Sequence, residues 1–179
     1  ISKHKYFNKI FTWSDELVDD IKYFKFNYSF IIPKDIPKNF IKPGLCCMIV
    51  GNKDSKHQNE LYSERKKLIK WFEANQPDDF DLYGVGWNEY RFKEIKPIRA
   101  FNRIPFLKNI MFRCFGEKHP SYKGKAVSKF KTMQDYRFAV CYENIRSISG
   151  YITEKMLDAM FAGCVPIYWG ADNVIQHIP

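Results

Sequence analysis

Phe138-Ala-Val-Cys-Tyr-Glu-Asn144, Tyr151-Ile-Thr-Glu-Lys155 and Cys164-Val-Pro-Ile-Tyr-Trp169, the last closed by Gly170, set the architecture of this 179-residue chain. The first is a continuous apolar run ending in two polar residues, the pattern of a strand buried on both faces. The second opens a helix near Thr153, in which Met156, Leu157, Met160 and Phe161 recur at helical spacing to pack on a sheet. Ala159 and Ala162 permit close approach, and Gly163 marks the helix end. The third run returns as another buried strand. Strand, helix and strand in that order make a βαβ unit.

The same pattern extends upstream. Leu45-Cys-Cys-Met-Ile-Val50 is a second fully apolar strand, ending at Gly51-Asn52. A polar loop leads into a helix from about Glu60 to Ala74, with Leu61, Arg65, Leu68, Ile69 and Phe72 on one face. Asp81-Leu-Tyr-Gly84 is a short strand stopped by glycine. The expected fold class is therefore α/β with a Rossmann-like parallel sheet. Ser14-Asp-Glu-Leu-Val18 is expected to start a helix capped by Ser14. Pro33, Pro37 and Pro43 mark a boundary, giving residues 1–42 as linker and end of a preceding domain and 43–179 as the α/β domain. Residues 85–120 show no clean period, and Pro97, Pro105 and Pro120 argue for an irregular excursion. Residues 125–134 are expected to form a short helix.

Composition narrows the classes. Hydrophobic residues at 45% and aromatics at 17% exclude a disordered chain. No apolar stretch approaches the ~20 residues of a membrane-spanning helix, and no signal peptide opens the chain. The chain starts at Ile1 and ends at Ile178-Pro179 without a closing helix, so a fragment truncated at both ends is expected, with the α/β domain incomplete. The net charge is +9, and residues 95–134 hold ten Lys or Arg against the single acid Glu117. The protein is a neutral body bearing one basic stretch, suited to a nucleotide diphosphate, an anionic glycan or an anionic membrane surface, or simply a solvated loop. The five cysteines have no metal-ligand spacing, and Cys141 and Cys164 lie in apolar runs as small hydrophobes. An odd number without a framework favours a reducing compartment. Asn27-Tyr-Ser29 is an isolated glycosylation sequon.

The chemistry concentrates at the helix that begins near Thr153. Backbone N–H groups and the helix dipole favour an anion there. Lys155, in the first turn, is on the wrong end for the dipole, and a bound phosphate would turn that misfit into an advantage; otherwise it is a solvent-facing lysine. Glu154 suits the dipole and can also accept ribose hydroxyls. Asn144 either donates to a phosphate or caps its own turn, and Tyr151 offers a phenolic donor or ordinary packing. Glu143 lies beside Asn144 and can pair with an arginine such as Arg146. Asp79-Phe-Asp81 has the form of a metal-binding aspartate pair but precedes its strand, so it is taken as turn residues. The four histidines are scattered, without a metal pair.

Tyr136-Arg-Phe-Ala-Val-Cys-Tyr-Glu-Asn144, Gly150-Tyr-Ile-Thr-Glu-Lys155 and Val165-Pro-Ile-Tyr-Trp-Gly170 resemble the donor-binding signature of glycosyltransferase family ten, the α-1,3/4-fucosyltransferases. The likeness covers roughly residues 120–179, with weaker echoes at Arg65, Leu82-Tyr-Gly84 and Ile10-Phe-Thr-Trp13. It implies the C-terminal half of a two-domain GT-B enzyme that transfers fucose from GDP-fucose to an acceptor glycan hydroxyl with inversion. In that resemblance Glu154 contacts the nucleotide's sugar, Lys155 and Arg65 the diphosphate, and Asn144 and Tyr151 join them. It implies GDP-fucose as donor substrate with no obligatory metal or other cofactor, and a catalytic base in a preceding N-terminal domain, so that these residues alone would be inactive. The implied partners are nucleotide sugar and acceptor glycan. Apart from the resemblance, the basic residues of 95–134 suggest peripheral membrane contact. The lack of a signal with scarce cysteine pairing favours a cytoplasmic location at a membrane face, a missing Golgi anchor being the alternative. Competing readings are a related enzyme using another nucleotide sugar, a nucleic-acid-binding domain built on the basic stretch and its aromatics, and a glycan-binding module without catalysis.

Overall fold

The computed structural model describes residues 3–27, 32–38, 41–92 and 100–178. Lys96, Pro97 and Arg99 of the basic stretch, Ser29 of the sequon, and Ile1 and Pro179 lie outside them. Two short strands, β1 (Ile10–Thr12) and β2 (Tyr23–Lys25), pair in parallel near the start. The main body then runs β3 (Gly44–Ile49), helix α1 (Tyr62–Asn75), β4 (Phe80–Tyr83), helix α2 (Pro105–Phe115), β5 (Tyr122–Gly124) and helix α3 (Lys129–Met133). It continues through β6 (Tyr136–Tyr142), helix α4 (Glu154–Phe161), β7 (Val165–Trp169) and the short helix α5 (Val174–His177).

The five main strands form one sheet in the order β5-β4-β3-β6-β7, parallel at every pairing. The chain runs outward from the central β3 to β5, then returns to β6 on the other side of β3. That reversal is a topological switch point, bordered by the loops leaving the carboxyl ends of β3 and β6. Those loops are stitched together: Leu61 N–H donates to Asn144 O at 3.0 Å and Arg146 N–H to Asn59 O at 2.9 Å. Both expected βαβ units are present, and so is the parallel α/β sheet.

The alternation of side chains along a strand explains the continuous apolar runs. Cys46, Met48 and Val50 point into one core with Ile69 of α1, Phe80, Leu82, Trp87 and Val140. Cys47 points the other way, into a second core with Ala139, Cys141, Ala159, Ala162 and Cys164. A strand covered on both faces has no polar side. The cysteines serve as small core residues: burial pushes the Cys46 and Cys141 thiols up to about 12, and all five cysteines are free. On α4, Met156 is buried but Met160 is exposed, so the packing face centres on Met156, Ala159 and Ala162.

Three expectations are corrected. Ser14 caps nothing with its side chain, and Asp15–Leu17 is a single 3-10 turn, because the chain turns at once into the β2 pairing. Residues 85–120 are not irregular throughout, since α2 starts with Pro105 in its first turn, where a missing N–H costs nothing. Of Asp79-Phe-Asp81, expected as turn residues, only Asp79 lies in a turn. Phe80 and Asp81 begin β4, in line with the expected strand from Asp81, and Asp81 accepts the Tyr136 hydroxyl at 2.6 Å. No helix among the described residues is long and apolar enough to cross a membrane.

Candidate functional site

β6 ends at Tyr142, and the next two residues organise the switch point. Glu143 is fully buried. Such a carboxylate is costly unless every oxygen is matched. Its Oε1 accepts Thr153 N–H at 2.7 Å, the Thr153 hydroxyl reaches both oxygens at 2.8–2.9 Å, and Lys155 Nζ donates to Oε2 at 2.7 Å. The carboxylate therefore takes over the cap of α4, and Thr153 makes no side-chain cap bond of its own. Gly170 makes this possible: a Cβ there would lie 2.5 Å from Glu143 Cγ and 2.4 Å from the Tyr168 hydroxyl.

Lys155 is thus neither a freely solvated lysine nor an uncompensated misfit at the helix start. Its ammonium donates to Glu143 and, at 2.7 Å, to Thr153 Oγ1. An ammonium has three N–H donors, so one remains for an incoming anion beside the N–H groups of the first turn. Glu143 pairs with Lys155 and not with Arg146, whose guanidinium lies over the Trp169 ring at 5.4 Å. Sequence spacing gave Glu143 little weight because its partner lies twelve residues away across a loop.

Arg65 reaches the same place from α1. It is 4% exposed and so is not a surface arginine. One terminal nitrogen donates to Tyr142 O at 2.6 Å, Glu143 O at 2.7 Å and Asn144 Oδ1 at 3.1 Å. Its guanidinium lies 4.9 Å from the Tyr62 ring centroid, and its buried Nε lacks a hydrogen-bond partner. Burial lowers the Arg65 pKa, opposed by the neighbouring Tyr62 and Glu143. Residue 143 consequently carries two cations, Arg65 on its carbonyl and Lys155 on its carboxylate. Asn144 extends the cluster, its Nδ2 donating to the Tyr151 hydroxyl at 3.3 Å.

Four of the five expected residues (Arg65, Asn144, Tyr151 and Lys155) are therefore joined through the end of β6. Glu154 faces elsewhere: its carboxylate contacts Lys129 Nζ at 3.2 Å on the α3 side. Burial pushes the Glu154 pKa up, but Lys155, its own backbone N–H and Lys129 outweigh that and hold it below the usual carboxylate value. Among the described residues no group of three His, Cys, Asp or Glu side chains is placed to hold a metal ion.

An open pocket of about 670 Å³ lies next to this cluster, lined by Lys53, Lys56, Tyr62, Arg91, Phe92 and Asn102 among others. It touches the cluster through Tyr62, and none of the five expected residues lines it. The cluster differs from the pocket in holding two cations on one buried residue, with the Glu143 carboxylate offsetting one of the two charges. Lys53, Lys56 and Arg91 were not singled out in the sequence, since only the fold brings the loop after β3 against Arg91, Phe92 and Asn102.

Comparison with known proteins agrees with the motif reading. The family described as glycosyltransferase family 10 (fucosyltransferase) C-term matches residues 41–179. An alpha-(1,3)-fucosyltransferase of Helicobacter pylori is 43% identical over 49 residues, 27% of this chain and 10% of that protein. Alpha-(1,3)-fucosyltransferase 4 of Mus musculus is 26% identical over 120 residues, 65% of this chain and 24% of that protein. The chain thus spans between a tenth and a quarter of the length of these relatives. A crystal structure of an alpha1,3-fucosyltransferase with GDP-fucose overlaps 75% of this chain and 28% of that one, at 19% identity and a TM-score of 0.43. With the family match covering most of its length, this chain belongs to glycosyltransferase family 10, the fucosyltransferases, and corresponds to the family's C-terminal part.

Proposed function

We propose that this chain binds GDP-fucose and serves the transfer of fucose, with inversion, to a hydroxyl of an acceptor glycan, as the donor-binding half of a GT-B enzyme. The observation that carries the proposal is the convergence of Arg65 and Lys155 on residue 143, at the switch-point crevice and the amino end of α4. In this reading the diphosphate takes the third Lys155 donor and the first-turn N–H groups, with the Arg65 fork behind Asn144. Tyr151 and Asn144 contribute neutral donors, and Glu154 turns from Lys129 toward the ribose. The barrier is departure of the diphosphate from an oxocarbenium-like centre. Cations and N–H groups aimed at that leaving group stabilise charge that grows in the transition state. No metal is assigned a part, and the acceptor-activating base is assigned to the N-terminal domain of the family.

A membrane contact belongs to the same proposal. Helix α2 has no buried residue, and Phe106 and Ile110 are exposed one turn apart, with Ile104 and Phe101 exposed just before them. Arg103, Arg113 and Lys118 are exposed in the same region. Apolar side chains rimmed by cations suit the surface of an anionic bilayer, which is consistent with a cytoplasmic enzyme working at a membrane face.

Calorimetric titration with GDP-fucose, GDP-mannose and GDP tests the donor. Tighter binding of GDP-fucose than GDP-mannose supports the fucose reading. Equal binding points to a donor other than fucose, and binding of polynucleotide in place of GDP overturns the proposal.

A further inference from the structure

The segment preceding the α/β domain folds back onto the loop that carries Tyr151. The Trp13 ring meets the Tyr151 ring edge-on, with centroids 4.9 Å apart and planes at 66°. Asp15 N–H donates to Ser149 O at 3.4 Å. Gly150 N–H donates to Asn173 Oδ1 at 3.0 Å, and Asn173 Nδ2 donates onward to Asp15 Oδ2 at 2.8 Å. His177 Nε2 lies 3.2 Å from the same oxygen. Lys25, in β2, donates to Trp13 O at 2.8 Å and pairs with the Asp15 carboxylate. The bonds close a ring of residues 13–15, 149–150 and 173. Gly150 sits inside it at φ +79, and a Cβ there would fall 2.4 Å from Trp13 O. A loop held on one side by residues 13–15 and on the other by residue 173 has little freedom to rotate Tyr151 away.

Tyr151 in turn accepts Asn144 Nδ2, and Asn144 Oδ1 accepts Arg65. An unbroken chain of contacts therefore runs from Trp13 through Tyr151 and Asn144 to the Arg65 guanidinium. We infer that Trp13 and Asp15 are positioning residues for the donor site: residues 10–25 clip the 147–151 loop so that the Tyr151 hydroxyl and Asn144 are presented to a nucleoside diphosphate. Neither residue touches the ligand in this scheme. This inference rests on the donor-site reading above. Its consequence is that movement of the segment at residues 10–25 alters donor affinity, coupling whatever precedes the α/β domain to the crevice.

GDP titration into the whole chain tests it, with unfolding of each variant followed in parallel. Trp13→Ala removes the ring contact and is expected to weaken GDP binding about three- to tenfold, the range for loss of an aromatic pair. Trp13→Phe keeps an edge contact and is expected to restore affinity to within about twofold. In a Tyr151→Phe background, Trp13→Ala is expected to cost little more, since the group it positions is gone; an additive loss overturns the route through Tyr151. Asp15→Asn keeps the side-chain shape but leaves one acceptor oxygen where Asn173 and Lys25 each use one. It therefore removes the charge and one of the two bonds, and is expected to weaken GDP as well. Wild-type binding with Trp13→Ala and Asp15→Asn both unchanged overturns the inference and leaves the donor site standing. Absence of GDP binding by the wild type overturns the donor-site reading, and the inference with it.

Discussion

Replacing Glu143 by alanine should be among the most damaging changes in this domain, although the residue makes no contact with solvent. The carboxylate caps Thr153 N–H, receives the Thr153 hydroxyl and neutralises Lys155 at 2.7 Å. Loss of a helix cap costs about 1 kcal/mol. Breaking a buried ion pair costs about 3–5 kcal/mol when the remaining charge is trapped. The Lys155 side chain is 21% exposed and can turn toward water, so the lower part of that range applies. The combined expectation is about 4 kcal/mol, which in a domain of this size lowers the melting temperature by about 8–16 °C. Glu143→Gln retains an acceptor for Thr153 N–H and should lose about half as much. Thermal unfolding followed by circular dichroism gives the comparison. If Glu143→Ala melts within a degree or two of wild type, the carboxylate is not what holds the start of α4, and the geometry assigned to Lys155 falls with it.

Other outcomes follow from the same structure. Under native conditions a thiol reagent should modify Cys114 first, because it alone is exposed while burial pushes the Cys46 and Cys141 thiols up to about 12; rapid loss of two or more thiols by mass spectrometry would contradict the core assignment. Burial raises the Asp15 pKa, but bonds from Lys25, Asn173 and His177 outweigh it and hold the carboxyl below its usual 3.8. A depressed carboxyl contributes stability that is full above that value and is lost as pH falls through the lower folded one. The difference in melting temperature between wild type and Asp15→Asn should therefore shrink as pH is lowered below about 4, whereas a gap constant with pH would refute the ring at Asp15. Co-sedimentation should show the chain on vesicles containing phosphatidylglycerol and not on neutral vesicles, with Phe106→Asp and Ile110→Asp releasing it. Retention of those variants would exclude α2 as the contact.

Much of the sheet was legible because β3 and β6 are covered on both faces, which leaves apolar runs in Leu45–Val50 and Phe138–Tyr142. The equally apolar Cys164–Trp169 gave β7 its place but misread its burial, since β7 is the edge strand and exposes Val165 and Ile167. Helix α4 was legible from the spacing of Met156, Leu157, Met160 and Phe161, although the buried face proved to be Met156, Ala159 and Ala162. Helix α2 was hidden because Pro105 resembles a breaker unless it is known to sit in a first turn. At the site, Lys155, Arg65, Asn144 and Tyr151 were identified through motifs, but their wiring was not. Glu143 meets Lys155 only because β6 ends and α4 starts at the same edge of the sheet, and the Asp15–Asn173 bond joins residues 158 positions apart. Spacing within a motif cannot encode such pairs. Tertiary packing creates them.

The most direct measurement is calorimetric titration of GDP into the wild-type chain and into Lys155→Ala, at a temperature where both remain folded. Loss of one charge-assisted contact to the diphosphate predicts saturable binding by the wild type and affinity weaker by about tenfold or more in the variant. Equal affinities, or a wild type that takes up no GDP, would contradict a diphosphate docked at the amino end of residues 154–161.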